Sequence, residues 1–186
     1  MTDWLPSGVI TITTDFGHKG PFAAVMTGVI TKRFPDARII DLAHDIPAHW
    51  PPEAGFWLSR SYPYFPDGTV HIAIVDPGVG TEREIIVAQR DRHVFIAPDN
   101  GLLAPILEKA ERICRLDQNR LAEQGFGKSS PTFQGRDIFA PVAAEIAAGR
   151  LILDDIGVEF ADWTPGWLEN PEVHANRVTG IIVTVD

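Results

Sequence analysis

Asp76 and Arg83 are the two side chains in this 186-residue chain whose types and spacing most directly suggest chemistry. Asp76 follows Val70-His-Ile-Ala-Ile-Val75, an apolar, β-branched run that reads as a buried strand. It opens Asp76-Pro-Gly-Val-Gly80, where proline and glycine force the backbone out of the sheet. A carboxylate in that place can orient a water or accept its proton, and Arg83, a permanent cation, can fold back onto it. The same pattern also suits an ordinary turn in which Asp76 caps backbone amides and Arg83 is solvated. Asp15, Asp99 and Asp186 also follow strand-like runs, so in a parallel-type sheet the four acids could converge on one ligand crevice.

Other chemistries find less support. The six histidines are scattered, and His44 with His49 lacks further ligands nearby, so no metal is expected. There is no Gly-x-Ser-x-Gly elbow and no P-loop, and Gly78-Val-Gly80 is too short for a dinucleotide fingerprint. The single cysteine, Cys114, lies in a strand-like run and reads as a buried structural thiol. A formal charge of −9 argues against a nucleic-acid partner, whose phosphates would be repelled. The start of the chain has no basic region or apolar core, and no apolar run approaches the ~20 residues of a membrane span. A cytoplasmic location is the expectation.

The elements that must position these residues alternate. Residues 8–14 read as a strand, Asp15 to Pro21 as a turn, and Phe22, Val25, Met26, Val29 and Ile30 recur at helical spacing as a core face. Gly28 inside that helix suggests a close contact. Arg38 to Leu42 is a second strand, which makes a βαβ unit and hence a parallel sheet covered by helices. A helix from about Glu53 leads through the turn Phe65-Pro-Asp-Gly68 into the strand before Asp76. Residues 84–89 and 93–97 read as a hairpin, so the fold class is α/β with a mixed, mostly parallel sheet flanked by helices in three layers. Leu102 to Lys109 reads as a short helix and 117–131 as a long polar loop. Another helix carries Ile138, Phe139, Val142 and Ile146, with Pro141 expected in its first turn. Residues 149–176 read as an acidic connection, and 177–186 as a final strand.

Five ordered motifs add what spacing does not. Thr13-Thr-Asp-Phe-Gly17, Tyr62-Pro-Tyr-Phe-Pro66, Asp76-Pro-Gly-Val-Gly-Thr-Glu-Arg83, Ala97-Pro-Asp-Asn-Gly-Leu-Leu103 and Thr132-Phe-Gln-Gly-Arg-Asp137 together resemble the S-adenosyl-L-methionine (SAM) hydroxide adenosyltransferase family. These are SAM hydrolases related to fluorinating and chlorinating enzymes. The resemblance implies that residues 1–176 form an N-terminal α/β SAM-binding domain, and that 177–186 lead into a β-barrel-like C-terminal domain missing from this sequence. It further implies a homotrimer, with SAM bound between neighbouring subunits, and a cofactor-free hydrolysis of SAM to adenosine and L-methionine.

Carried over by motif, Asp15 would accept hydrogen bonds from the ribose hydroxyls. Phe16, Trp50, Phe133 and Gly135 would line the substrate site, and Asp186 would hold the methionine amino group. Asp76 and Arg83 would be two members of a catalytic Asp–Arg–His set. The halogenating relatives have an aromatic residue where Asp76 stands, since a carboxylate would repel halide. This chain departs at the third member: Gln134 takes the histidine's place, and an amide holds a water but takes no proton at neutral pH. Alternatives are therefore a weakened enzyme or a non-catalytic SAM- or adenosine-binding protein and, less favoured, a SAM-dependent halogenase.

Overall fold

The computed structural model describes residues 4–168 and 171–185. Seven strands form one sheet in the order β2-β1-β3-β5-β4-β6-β7. These are β1 (Val9–Thr14), β2 (Arg38–Ala43), β3 (Val70–Ile74), β4 (Ile85–Arg90), β5 (His93–Pro98), β6 (Arg112–Leu116) and β7 (Gly157–Glu159). β1 pairs in parallel with β2 and β3, and β3 with β5, whereas β4 runs antiparallel to β5 and β6, and β6 to β7. The sheet is therefore mixed, as the hairpin spacing implied, but not mostly parallel: among the described residues three of its six strand pairings are antiparallel, because β6 and β7 extend the antiparallel side that the hairpin begins.

Alternation along the strands builds two cores. Ile10 and Ile12 of β1, Ile72 and Ile74 of β3, and Val94 and Ile96 of β5 face one side, under α1 (Phe22–Arg33) and α5 (Ala140–Ala147). Ala73, Phe95 and Ala97 face the other, under α2 (Pro51–Ser61) and α3 (Ala104–Leu107). On the second face His71, fully buried, stacks on Phe95 with ring centroids 4.9 Å apart. Its Nδ1 lies 2.7 Å from Thr11 Oγ1 and its Nε2 3.0 Å from His93 Nδ1. That network satisfies polar groups which would otherwise cost folding energy.

Several expectations are corrected. The stretch 117–131 is not all loop: Asp117 accepts from the backbone amides of Asn119 and Arg120 and starts α4 (Gln118–Glu123). Residues 149–176 hold more than a connection, since α6 (Leu153–Ile156) runs into β7, which joins the sheet edge. Instead of one final strand, β9 (Arg177–Thr179) pairs with β8 (Glu172–His174) in a separate two-stranded hairpin. Gly28 has nothing within 4 Å of where a Cβ would stand, so no close contact explains it. Pro141 does fall in the first turn of its helix, as the second residue of α5, but a π-turn over Gly135–Phe139, closed by Ala140 N–H donating to Gly135 O, precedes that helix.

Candidate active site

β1 and β3 are neighbours whose connections leave in opposite directions, β1 through α1 to β2 and β3 towards β4 and β5. The crevice outside their C-terminal ends is the place where open α/β sheets bind ligands. A cavity of about 540 Å³ opens there, within the usual range for a small-molecule site. Asp15, directly after β1, and Asp76, just beyond β3, both line it.

The turn after β3 is held by its own polar groups. Asp76 Oδ1 accepts from Gly78 N at 3.1 Å, and Thr81 Oγ1 donates to Gly78 O at 2.7 Å. Gly80, at φ +83°, takes a conformation that a side chain would strain. The turn brings Arg83 back so that its Nε donates to Asp76 Oδ2 at 2.7 Å, with Nη2 donating to the same oxygen. Both side chains are withdrawn from solvent, at 4% exposure for Asp76 and 10% for Arg83. Arg83 is therefore paired, not solvated.

Gln134 completes the set from 51 positions further along the chain. Arg83 Nη2 also donates to Gln134 Oε1, so Arg83 bridges acid and amide. Because the guanidinium only donates, the oxygen of Gln134 is the atom that faces it. Gln134 Nε2 has no partner among the described residues. The π-turn starts at the next residue, and Gly135 permits it to pack closely. A Cβ there would lie 3.1 Å from Met26 Sδ and 3.4 Å from Phe133 Cε2.

The opposite wall is aromatic. Phe16, Phe22 and Phe133 meet edge to face, with centroids 5.5 to 6.3 Å apart. Arg136 lies over Phe133 at 5.2 Å and is tied to Asp137 at 2.6 Å. The Asp15 turn is pinned by His44, whose carbonyl accepts from Gly17 N at 2.8 Å and whose Nδ1 lies 2.8 Å from Thr14 Oγ1. His44 Nε2 is 3.1 Å from Asp41 Oδ1 but off the line that a hydrogen bond needs. Burial raises the pKa of Asp15, opposed by backbone N–H groups of Asp15 itself and of His49, while the nearby Asp76 charge adds to the rise.

Asp15, Phe16, Asp76, Arg83, Phe133, Gln134 and Gly135 thus share one cavity. Trp50 is not among its lining residues: it precedes α2, and its indole N–H donates to Val183 O at 3.1 Å. Asp99 is spent elsewhere, accepting from Thr164 N at 2.8 Å. His18 lies outside the lining and pairs with Asp45 at 3.4 Å. Asp186 lies outside the described residues. Phe22 belongs by spacing to the core face of α1, yet it is 49% exposed at the cavity, because the first residue of α1 overhangs the crevice. Ser130, Thr132 and Arg136 also line the cavity without a signal from residue type alone, although Thr132 and Arg136 belong to the motif around Gln134.

Residues 10–157 match the family model described as SAM hydroxide adenosyltransferase N-terminal domain. A protein named (R)-S-adenosyl-L-methionine hydrolase from Thermus thermophilus is 40% identical over 142 residues, covering 73% of this chain and 55% of the relative. Its namesake from Salinispora tropica is 36% identical over 185 residues, covering 97% of this chain and 69% of that protein. The crystal structure of an uncharacterized conserved protein from Thermotoga maritima resembles this fold with a TM-score of 0.86 at 35% identity, over 95% of this chain and 67% of that one. The chain spans about half the length of several curated relatives that it matches. On the match of residues 10–157, with the five motifs placed on one fold, the chain belongs to the SAM hydroxide adenosyltransferase N-terminal domain family.

Proposed function

We propose that the protein hydrolyses SAM to adenosine and L-methionine, with water attacking the ribose C5′. The observation that carries this reading is the linked Asp76–Arg83–Gln134 set in a cavity whose other acid is Asp15. Relatives named as hydrolases of the same compound support it. In the reaction the C5′–O bond forms as the C5′–S bond breaks, and the electron pair leaves with sulfur as a neutral thioether. No acid is needed on the leaving side, so catalysis lies in positioning the water in line and excluding bulk solvent.

Each residue then has a task. Gln134, its oxygen held by Arg83, offers its amide N–H groups to the water oxygen. Asp76 keeps acceptor capacity on Oδ1 beyond the Gly78 amide, enough to take a proton from the water and pass it to solvent. Arg83 balances Asp76 and fixes both partners. Asp15 accepts from the ribose hydroxyls, Phe16 and Phe133 supply apolar walls, and Gly135 permits close approach. Trp50 flanking the ribose and Asp186 holding the methionine amino group belong to the same proposal. So do a β-barrel-like C-terminal domain and a homotrimer, which would cover the open side where Phe22 and Val79 stand exposed. A cytoplasmic, cofactor-free enzyme completes the reading; among the described residues no helix is long and apolar enough to cross a membrane.

The test is to incubate the protein with SAM and follow adenosine by chromatography. SAM binding with no adenosine above the buffer blank would refute hydrolysis. It would favour the second reading, a non-catalytic SAM-binding protein, which one observation supports: Gln134 Oε1 is committed to Arg83 and the amide takes no proton. The halogenase alternative would require halide-dependent consumption of SAM, against the repulsion from Asp76.

A further inference from the structure

Arg83 and Gln134 border two cavities. Behind the one that holds Asp15 lies a second of about 350 Å³, whose other walls carry Glu84, Arg115, Gln118 and Asn119. The guanidinium and the amide therefore stand as a partition between them. Its two parts are held unequally. Arg83 is fixed by Asp76 and also reaches Glu84 O at 3.3 Å, whereas Gln134 is held by its bond to Arg83. The rear cavity is polar and open to solvent: Glu84 and Arg115, 3.1 Å apart, are 39% and 38% exposed, and Gln118 and Asn119 are exposed on α4. It has room for a short file of waters, each of which takes about 30 Å³ in the liquid.

This bears on a problem that in-line displacement creates. The nucleophile stands opposite the leaving group, so a bound substrate closes the front cavity to the water that must reach its far side. We propose that the rear cavity is the entry route for the nucleophilic water, with the Gln134 side chain as the movable part of the partition. Water passes from solvent along Glu84 and Arg115 to the Gln134 amide and the Asp76 carboxylate, and the proton released on attack returns along the same file. The inference rests on the hydrolase reading and adds to it a solvent path separate from the substrate's.

The path is tested by filling it from α4, with Gln118→Trp and Asn119→Trp. Both positions are exposed and outside the substrate cavity, and Gln118→Ala and Asn119→Ala serve as controls. Expected is a fall in kcat for adenosine formation of about fivefold or more in the Trp variants. SAM affinity by calorimetry and the melting temperature should stay at the unsubstituted values, and the Ala variants should turn over normally. Unchanged kcat in both Trp variants overturns the proposal. So does a loss of SAM affinity that accounts for the slower turnover, since a rear route leaves bound substrate untouched. Turnover by the unsubstituted protein separates the two readings: without it hydrolysis itself fails, and with it only the rear route is at stake.

Discussion

Replacing Arg83 by methionine tests the physical basis of the site without requiring any substrate. Asp76 is almost fully withdrawn from water and takes two guanidinium donors on Oδ2, one of them at 2.7 Å. Arg83→Met keeps the apolar stem and removes both donors, leaving a carboxylate with the Gly78 amide at 3.1 Å as its remaining described hydrogen bond. Removing one partner of a buried pair costs about 3–5 kcal/mol, because the other charge stays uncompensated. The cavity beside Asp76 admits water, which places the expected loss near ~3 kcal/mol. For a chain of this length, that corresponds to a fall in Tm of roughly 6–12 °C. Urea unfolding followed by tryptophan fluorescence measures it, with Asp76→Asn and the double variant closing the cycle. Asn leaves no charge behind, so the double variant should be more stable than Arg83→Met alone, with a coupling of about 2 kcal/mol or more. A cost for Arg83→Met below about 1 kcal/mol, or plain additivity, would mean that solvent screens the pair and the argument for a buried set fails.

Three further outcomes are expected. Gln134→His should raise adenosine formation, by up to ~10²–10⁴-fold if proton acceptance is what the amide lacks; unchanged turnover would mean that Asp76 handles the proton alone. Burial and the neighbouring His93 hold the His71 pKa down to about 3, while the unfolded imidazole protonates near pH 6.5. The unfolded chain therefore gains a proton first, so stability is full above about pH 6.5 and falls towards pH 3, by up to ~1.4 kcal/mol per unit from this group. Unfolding free energies at pH 7 and 5 should show the slope, and His71→Asn should reduce it. Gly135→Ala should cost about 1–3 kcal/mol, towards the low end because the Met26 thioether that it meets can shift. A variant as stable as the parent, with SAM affinity intact, would remove the case for glycine at that position.

Local signals account for what the sequence revealed. β1, α1, β2, α2, β3 and the β4–β5 hairpin were legible because hydrophobic period and turn residues mark each within its own few residues. α4, α6 and β7 were not, because their support comes from elsewhere. Arg120 Nη1 donates to Asp154 O at 2.6 Å and to Gly157 O at 2.7 Å, stitching α4 to α6 and β7 across more than thirty positions. The site divides in the same way. Asp76 and Arg83 are seven residues apart in one turn, so their pairing was foreseeable from type and spacing. Gln134 is far along the chain, and a motif, not a periodicity, pointed to it. Phe22 fitted the helical stripe of α1, and periodicity carries no information about a first turn that projects past the sheet.

Topology also explains why only some strand-end acids belong to the site. Asp15 and Asp76 follow the strands whose connections diverge, so the space beyond them is left open. Asp99 follows β5, where the start of β4 lies antiparallel alongside and the segment at Thr164 lies across the strand end, so its carboxylate caps a backbone amide instead. The crevice still needs a third wall, and the π-turn ahead of α5 supplies it. One extra residue in a turn rotates everything N-terminal to it by about 100° around the helix axis. α5 can then keep Val142, Ala143 and Ile146 on the sheet while Phe133 and Gln134 face the crevice. Pro141 fits this break because it brings no amide to the i−4 ladder where the ladder is already disrupted. A proline tolerable only near a helix start therefore sits in the first turn of α5, directly after the irregularity that aims Gln134 at Arg83.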